Sequence, residues 1–218
     1  MVFVKVCGVT SEQDALLAVA MGADAVGFVF APSPRQLAPA VAGDIAKRLP
    51  REVVTVGVFR DETPTRVVQI VNRLGLRAAQ LHGHETPEDV AWVGARVPLT
   101  IKAFPAARPD ARRAAEYGAD IVLLDGAEPG SGRVFDWRLA EGIPFGSRLM
   151  LSGGLTPANV AQAVATVRPW GVDVSTGVES APGRKDALKM RRFVEAAKSA
   201  LPDPEPSEAD GPYDWAEG

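Results

Sequence analysis

Short apolar, β-branched runs recur along this chain and alternate with longer stretches whose apolar residues fall at helical spacing. The runs lie near residues 2–7, 24–29, 53–58, 78–82, 99–103, 120–124, 148–152 and 171–174. The first helical stretch opens at Thr10 or Ser11, carries Ala15, Leu16, Val19 and Ala20 on its apolar face, and stops near Gly22. The next begins around Pro39, a residue tolerated in a first turn, and puts Val41, Ile45 and Leu49 on one face. Further helices are predicted over 63–74, 87–94, 110–118, 157–167 and 185–201. Buried strands separated by helices pair in parallel through right-handed crossovers. Eight such units within residues 1–201 predict a single-domain α/β fold, the (β/α)8 or TIM barrel. The competing open, doubly wound sheet is disfavoured because no Gly-x-Gly-x-x-Gly follows the first strand.

Residues 202–218 break this pattern with four prolines and six acids, and read as an acidic, Pro-rich disordered tail. They also distort the net charge of −3. With those six acids set aside, 21 acids face 24 bases, so the predicted barrel is mildly basic. That suits a small anionic ligand, and the clustered basic stripe of a nucleic-acid surface is missing. With 46% hydrophobic and 23% charged residues the composition is that of a soluble globular domain. A single cysteine rules out an intramolecular disulfide, and the chain opens into an apolar strand without a basic leader, so the cytoplasm is the expected compartment. The longest apolar runs are far shorter than the roughly 20 residues that span a bilayer, and no membrane role is expected. A monomer or a homodimer fits equally well.

In a barrel of this kind the chemistry sits at strand C-termini and the loops that follow. Side chains alternate along a strand, which puts Lys5 with Cys7, Gln80 with His82, Leu123 with Asp125, and Asp173 with Ser175 on common faces. Cys7 is the candidate general base, with Lys5 two residues back to lower its pKa. Asp125 is the candidate general acid, kept protonated by its apolar neighbours. Lys5, Gln80 and His82 complete the substrate-binding face. Arg35, in Pro32-Ser33-Pro34-Arg35-Gln36, is a planar fork suited to a substrate carboxylate. The loops Ser152-Gly153-Gly154 and Asp173-Val174-Ser175-Thr176-Gly177 follow the seventh and eighth strands, the place where many barrels bind phosphate through backbone N–H groups. Ser152, Ser175 and Thr176 add hydroxyl donors there. His82-Gly83-His84 has no third ligand to make a metal site, so none is expected. Residues 126–133, rich in Gly and Ser, read as a lid.

These motifs together resemble the phosphoribosylanthranilate isomerase family, (β/α)8 enzymes of the tryptophan pathway. The resemblance runs through Lys5-Val6-Cys7-Gly8-Val9-Thr10, Ser33-Pro34-Arg35, Gln80-Leu81-His82-Gly83, Leu123-Leu124-Asp125, Leu151-Ser152-Gly153-Gly154-Leu155 and Asp173-Val174-Ser175-Thr176-Gly177-Val178-Glu179. It implies an Amadori rearrangement of N-(5-phosphoribosyl)anthranilate, with Asp125 as acid, Cys7 as base, Arg35 on the anthranilate carboxylate and the two glycine loops on the phosphate. It implies no cofactor and a phosphorylated small-molecule substrate. Two readings compete with it. A dual-substrate isomerase that also serves histidine biosynthesis resembles a pair of aspartates where this chain has Cys7 and Asp125. A non-catalytic phosphate-binding barrel would have lost the acid–base pair.

Overall fold

The computed structural model describes residues 1–126, 137 and 148–200. The tail 202–218, and the lid beyond Gly126, lie outside the described residues. The described chain runs β1 (Phe3–Cys7), α1 (Glu12–Ala20), β2 (Ala25–Val29), α2 (Pro39–Ala46), β3 (Val54–Phe59), α3 (Pro64–Leu74), β4 (Ala78–Leu81) and α4 (Pro87–Gly94). It continues through β5 (Thr100–Pro105), a 3-10 segment (Pro109–Tyr117), β6 (Ile121–Asp125), β7 (Leu149–Leu151), α5 (Val160–Val167) and β8 (Gly171–Val174). A 3-10 turn (Thr176–Val178), a hairpin of β9 (Glu179–Ala181) and β10 (Arg184–Lys185), and α6 (Ala187–Lys198) complete it. Strands β1 to β8 form a closed parallel barrel in sequence order, with β8 returning to β1. The fold is the (β/α)8 barrel that the alternation of strands and helices predicts.

The core has two layers. Cys7, Ala25, Val56, Ala78, Ile101, Leu123 and Met150 fill the barrel interior, and a larger cluster including Phe28, Phe59, Phe104 and Phe193 seals the strands against the helices. Local signals set the helix ends. Ser11 caps α1 by accepting from Asp14 N, Thr86 and Asp89 form a capping box on α4, and Gly75 ends α3 in the left-handed region at φ 67°.

Two predicted helix faces are rotated from their true position. In α1 the buried residues are Asp14, Ala15 and Ala18, whereas Leu16 is 42% exposed. The polar Asp14 turns inward because its carboxylate accepts from the backbone N–H of Lys185 at 3.1 Å. In α2 the buried residues are Ala42, Gly43 and Ile45, and Val41 is 46% exposed. Gly43 packs on Leu74 there, and small residues rather than Val41 allow the two helices to approach. The segment expected to begin a helix at Lys185 is instead β10, and the predicted helix over 110–118 is 3-10.

One glycine has a strict packing role. Gly27 pairs with Cys7 in the β1–β2 register, and a Cβ there would lie 2.9 Å from Cys7 Sγ and 3.1 Å from Lys5 Nζ. Gly27→Ala therefore overpacks the barrel interior, with a cost of about 1–3 kcal/mol. Urea unfolding checks this, and a midpoint equal to that of the unchanged chain would show that the strand yields freely.

Candidate active site

The strands set the positions of the reactive side chains. Lys5 on β1 and Asp173 on β8 are direct register partners, and both point into the barrel. Lys5 is wholly buried, and its Nζ donates to Asp173 Oδ1 at 2.9 Å. Burial works against the ammonium, but Asp173 and the neighbouring thiol outweigh it and hold the Lys5 pKa above the ordinary lysine value. Lys5 thus stays charged beneath Cys7. It was expected on the substrate-binding face, but it is not among the residues lining the cleft and its head group is turned to Asp173. Asp173 lines the cleft, and its carboxylate is the counter-ion of Lys5, also within 3.5 Å of Ser152 Oγ.

Cys7 lines the cleft at the C-terminal ends of the strands, with Asp125, His82, Ser152 and Ser175. Burial pushes its thiol upward, Lys5 pulls it down, and Asp173 cancels part of that pull. The net shift is upward, contrary to the expectation that Lys5 alone sets the direction. Asp125 ends β6, and its Oδ1 accepts from Gly126 N at 2.8 Å. Its Oδ2 is 3.1 Å from His82 Nε2, and His82 Nδ1 is 3.0 Å from Gln80 Nε2. Gln80 lines the cleft beside His82, with its amide nitrogen against the ring. The two histidines of His82-Gly83-His84 part company, since His84 bonds the exposed Asp61 at 3.2 Å.

The loop that carries His82 is fastened by residues that no sequence signal singled out. Lys102, buried on the outward face of β5, donates to Gly83 O at 2.9 Å and to Glu85 Oε2 at 2.7 Å. Glu85 in turn accepts from Gly83 N at 2.9 Å and Asp61 N at 3.0 Å.

The glycine loops after β7 and β8 meet at the far side of the cleft. Gly153 and Gly154 adopt φ 86° and 70°, a region costly for other residues. Gly177 has a different reason to be glycine: a Cβ there would collide with the Leu155 carbonyl on the neighbouring loop. Backbone N–H groups of Gly153, Gly154, Thr176 and Gly177 have no backbone partner among the described residues. Asn159 staples the first loop, donating to Gly154 O at 3.0 Å and accepting from Thr156 N at 2.7 Å.

Arg35 lines the same cleft. Its Nε and Nη2 donate to the two carboxylate oxygens of Glu179, each at 2.7 Å, and these bonds hold the guanidinium above its ordinary pKa. Lys185 from β10 also donates to Glu179 Oε1 at 3.0 Å and to the Ser175 carbonyl at 3.2 Å. The hairpin escaped sequence analysis because strands of three and two residues are too short to show a period; the Pro182-Gly183 turn was its one signal, with Gly183 at φ 77°.

Comparison with known proteins bears on this arrangement. The family model for N-(5'phosphoribosyl)anthranilate (PRA) isomerase matches residues 4–196. The chain belongs to this family. An N-(5'-phosphoribosyl)anthranilate isomerase of Desulforudis audaxviator is 50% identical over 208 residues, covering 92% of this chain and all of the relative. Among solved structures, the phosphoribosyl anthranilate isomerase of Thermus thermophilus superposes with a TM-score of 0.85 at 43% identity, over 91% of this chain and all of that one. Another phosphoribosyl anthranilate isomerase, solved with reduced 1-(o-carboxyphenylamino)-1-deoxyribulose 5-phosphate, gives a TM-score of 0.81 at 42% identity, over 91% and 99% of the two chains. Among the described residues no helix is long and apolar enough to cross a membrane.

Within this isomerase fold, Glu179 ties the hairpin to the cleft. Burial works against its charge, but Arg35 and Lys185 hold its pKa below the ordinary glutamate value of 4.5. A depressed carboxylate gives stability that is complete above its unfolded value and is lost as pH falls through the folded one. Glu179→Gln leaves Lys185 buried without its counter-ion, a loss of about 3–5 kcal/mol at neutral pH. The difference between the two chains should shrink in acid as the wild-type carboxylate protonates. Thermal melts across pH test this; a difference independent of pH would place the effect in packing rather than charge.

Proposed function

We propose that this chain catalyses the Amadori rearrangement of N-(5-phosphoribosyl)anthranilate to 1-(2-carboxyphenylamino)-1-deoxyribulose 5-phosphate, the isomerase step of tryptophan biosynthesis. The observation that carries the reading is the placement of Cys7 and Asp125 on one cleft, from β1 and β6, beside two glycine loops whose N–H groups have no backbone partner among the described residues. In this reading Asp125 protonates the ribose ring oxygen. The C1–O bond breaks and the nitrogen lone pair forms the iminium. Cys7, as thiolate, removes the C2 proton, the electron pair becomes the C1–C2 double bond, and the iminium is neutralised to an enolamine that tautomerises to the aminoketone. No electrons enter or leave, and the substrate nitrogen serves as electron sink, so the balance requires no cofactor.

The remaining contacts follow from charge. Arg35 Nη1, which has no partner among the described residues, is the donor for the anthranilate carboxylate, while Glu179 fixes the other side of the fork. The N–H groups of Gly153, Gly154, Thr176 and Gly177, with the Ser152, Ser175 and Thr176 hydroxyls, take the phosphate. A Thermotoga maritima relative is described as dimeric.

The decisive assay is loss of fluorescence of freshly prepared phosphoribosylanthranilate, run beside the histidine-pathway aminoaldose. Turnover of the second substrate alone would refute the reading. Cys7→Ser and Asp125→Asn should each lower kcat at least ~10²-fold, as positioned acid–base groups contribute 10²–10⁴-fold. Arg35→Ala should chiefly raise KM, because the carboxylate contact is made in both ground and transition states.

The upward shift of the thiol has its own consequence. In the free protein the Cys7 thiolate, followed by its ultraviolet absorbance as the only cysteine of the chain, should form only above the ordinary thiol value of 9.0. A thiolate already formed near neutrality would mean that Lys5 overrides the burial of the sulfur.

A further inference from the structure

We propose that Gln80 is a positioning residue that fixes the tautomer of His82, and through it the hydrogen-bond donor presented to Asp125. The geometry is a line of three side chains, Gln80 on β4, His82 just beyond its end and Asp125 on β6. Gln80 Nε2 lies 3.0 Å from His82 Nδ1, and His82 Nε2 lies 3.1 Å from Asp125 Oδ2. A neutral imidazole has one donor and one acceptor nitrogen, and the group facing one nitrogen decides what the other carries. An amide NH2 can only donate. Nδ1 is then the acceptor, and the ring proton sits on Nε2, directed at Asp125.

This tautomer serves both protonation states of the acid. Before transfer, the Nε2–H bonds a lone pair of the neutral carboxyl. After Asp125 has released its proton, the new carboxylate finds two donors already in place, His82 Nε2–H and Gly126 N–H. Donors aimed at a charge before it forms lower the barrier to forming it. The opposite tautomer would present a lone pair to Asp125. It would compete with the substrate for the proton and then face the carboxylate with nothing to give.

Two features make Gln80 the setter. It is 1% exposed in the middle of the sheet, with Val58 of β3 and Ile101 of β5 as register partners, so its amide has little room to move. Its Oε1 is buried and has no hydrogen-bond partner among the described residues. An unpaired buried carbonyl is costly, and an apolar side chain would avoid that cost. What the amide contributes is its NH2, and the contact it makes is with His82. Turning the amide over would put Oε1 on Nδ1 and reverse the tautomer, so amide orientation is the substance of the claim.

The catalytic consequence rests on the isomerase reading, whereas the tautomer belongs to the free protein, and this separates the tests. The chain has only two histidines, so ring 15N spectra of the full-length protein resolve them, with His84→Gln identifying the other signal. In the unsubstituted chain His82 should carry its proton on Nε2. Gln80→Glu places an acceptor against Nδ1 and should move the proton there or create the imidazolium. Gln80→Met should leave a mixture. On phosphoribosylanthranilate, Gln80→Glu should lose at least ~10-fold in kcat with KM nearly unchanged, as wrong-tautomer substitutions in other enzymes do, and Gln80→Met should lose less. If the buried glutamate fails to fold by circular dichroism, Gln80→Met and the unsubstituted chain still decide the matter. An Nδ1–H tautomer in the unsubstituted chain overturns the proposal, as does a folded Gln80→Met variant with tautomer or kcat unaltered. Failure of the unsubstituted chain to turn over phosphoribosylanthranilate overturns the isomerase reading alone.

Discussion

A lysine with no solvent exposure inside a parallel barrel is held there by one carboxylate, and the rest of the site is arranged around that pair. Lys5 and Asp173 sit opposite each other at the seam where β8 closes on β1. Taking two charges out of water costs several kcal/mol per ion, and apolar replacements for such pairs are often no less stable. Stability therefore does not account for the pair, but its position does. It keeps a permanent ammonium directly below Cys7, in an interior where burial otherwise suppresses the thiolate. Asp173 lets the lysine remain charged and at the same time weakens its pull on the sulfur. The cysteine is consequently stable as a thiol, with an ammonium beside it to meet the thiolate once it ionises.

Fitting a lysine and a cysteine on adjacent inward positions of β1 demands space on the neighbouring strand. Gly27 supplies it, and Ala25 and Ala78 are also small at interior positions where Ile and Leu fill other strands. The polar charge of the interior and the small residues around it are one design, since a larger side chain on β2 would displace the sulfur or the ammonium.

Most of the barrel was legible because its signal is periodic. Eight apolar runs separated by helical spacing leave few topologies, and the strand-end parity of Lys5, Cys7, Gln80, His82, Asp125, Asp173 and Ser175 follows from alternation alone. What alternation could not supply was who bonds whom. Lys5 and Asp173 were read as ligand-binding groups because register between β1 and β8 is invisible in a single chain. Glu179 and Lys185 were missed because β9 and β10 are too short for a period, Asn159 because its partners are backbone atoms of a loop, and Lys102 and Glu85 because they pair with each other and with loop backbone across elements. The exposed Leu16 and Val41 show the same limit on helices, where a buried Asp14 and a close approach at Gly43 rotate the face.

These missed residues change how the cleft works. Lys185 Nζ bonds both the Ser175 carbonyl in the second glycine loop and Glu179, and Glu179 grips Arg35 by two of its nitrogens. Arg35 and the second glycine loop thus belong to one ionic network, anchored to α1 through Asp14 and to α6 through Lys189, which donates to the Glu179 carbonyl at 2.7 Å. For a substrate with an anion at each end, such a network fixes the distance between the two grips. The sugar carbons between them are then placed by the hairpin, and Cys7 and Asp125, held by the strands, need only stand at the right height. In the proposed reaction, positioning falls to charge at the ends and chemistry to two side chains in the middle, and the short hairpin after β8 is where loops and barrel are joined.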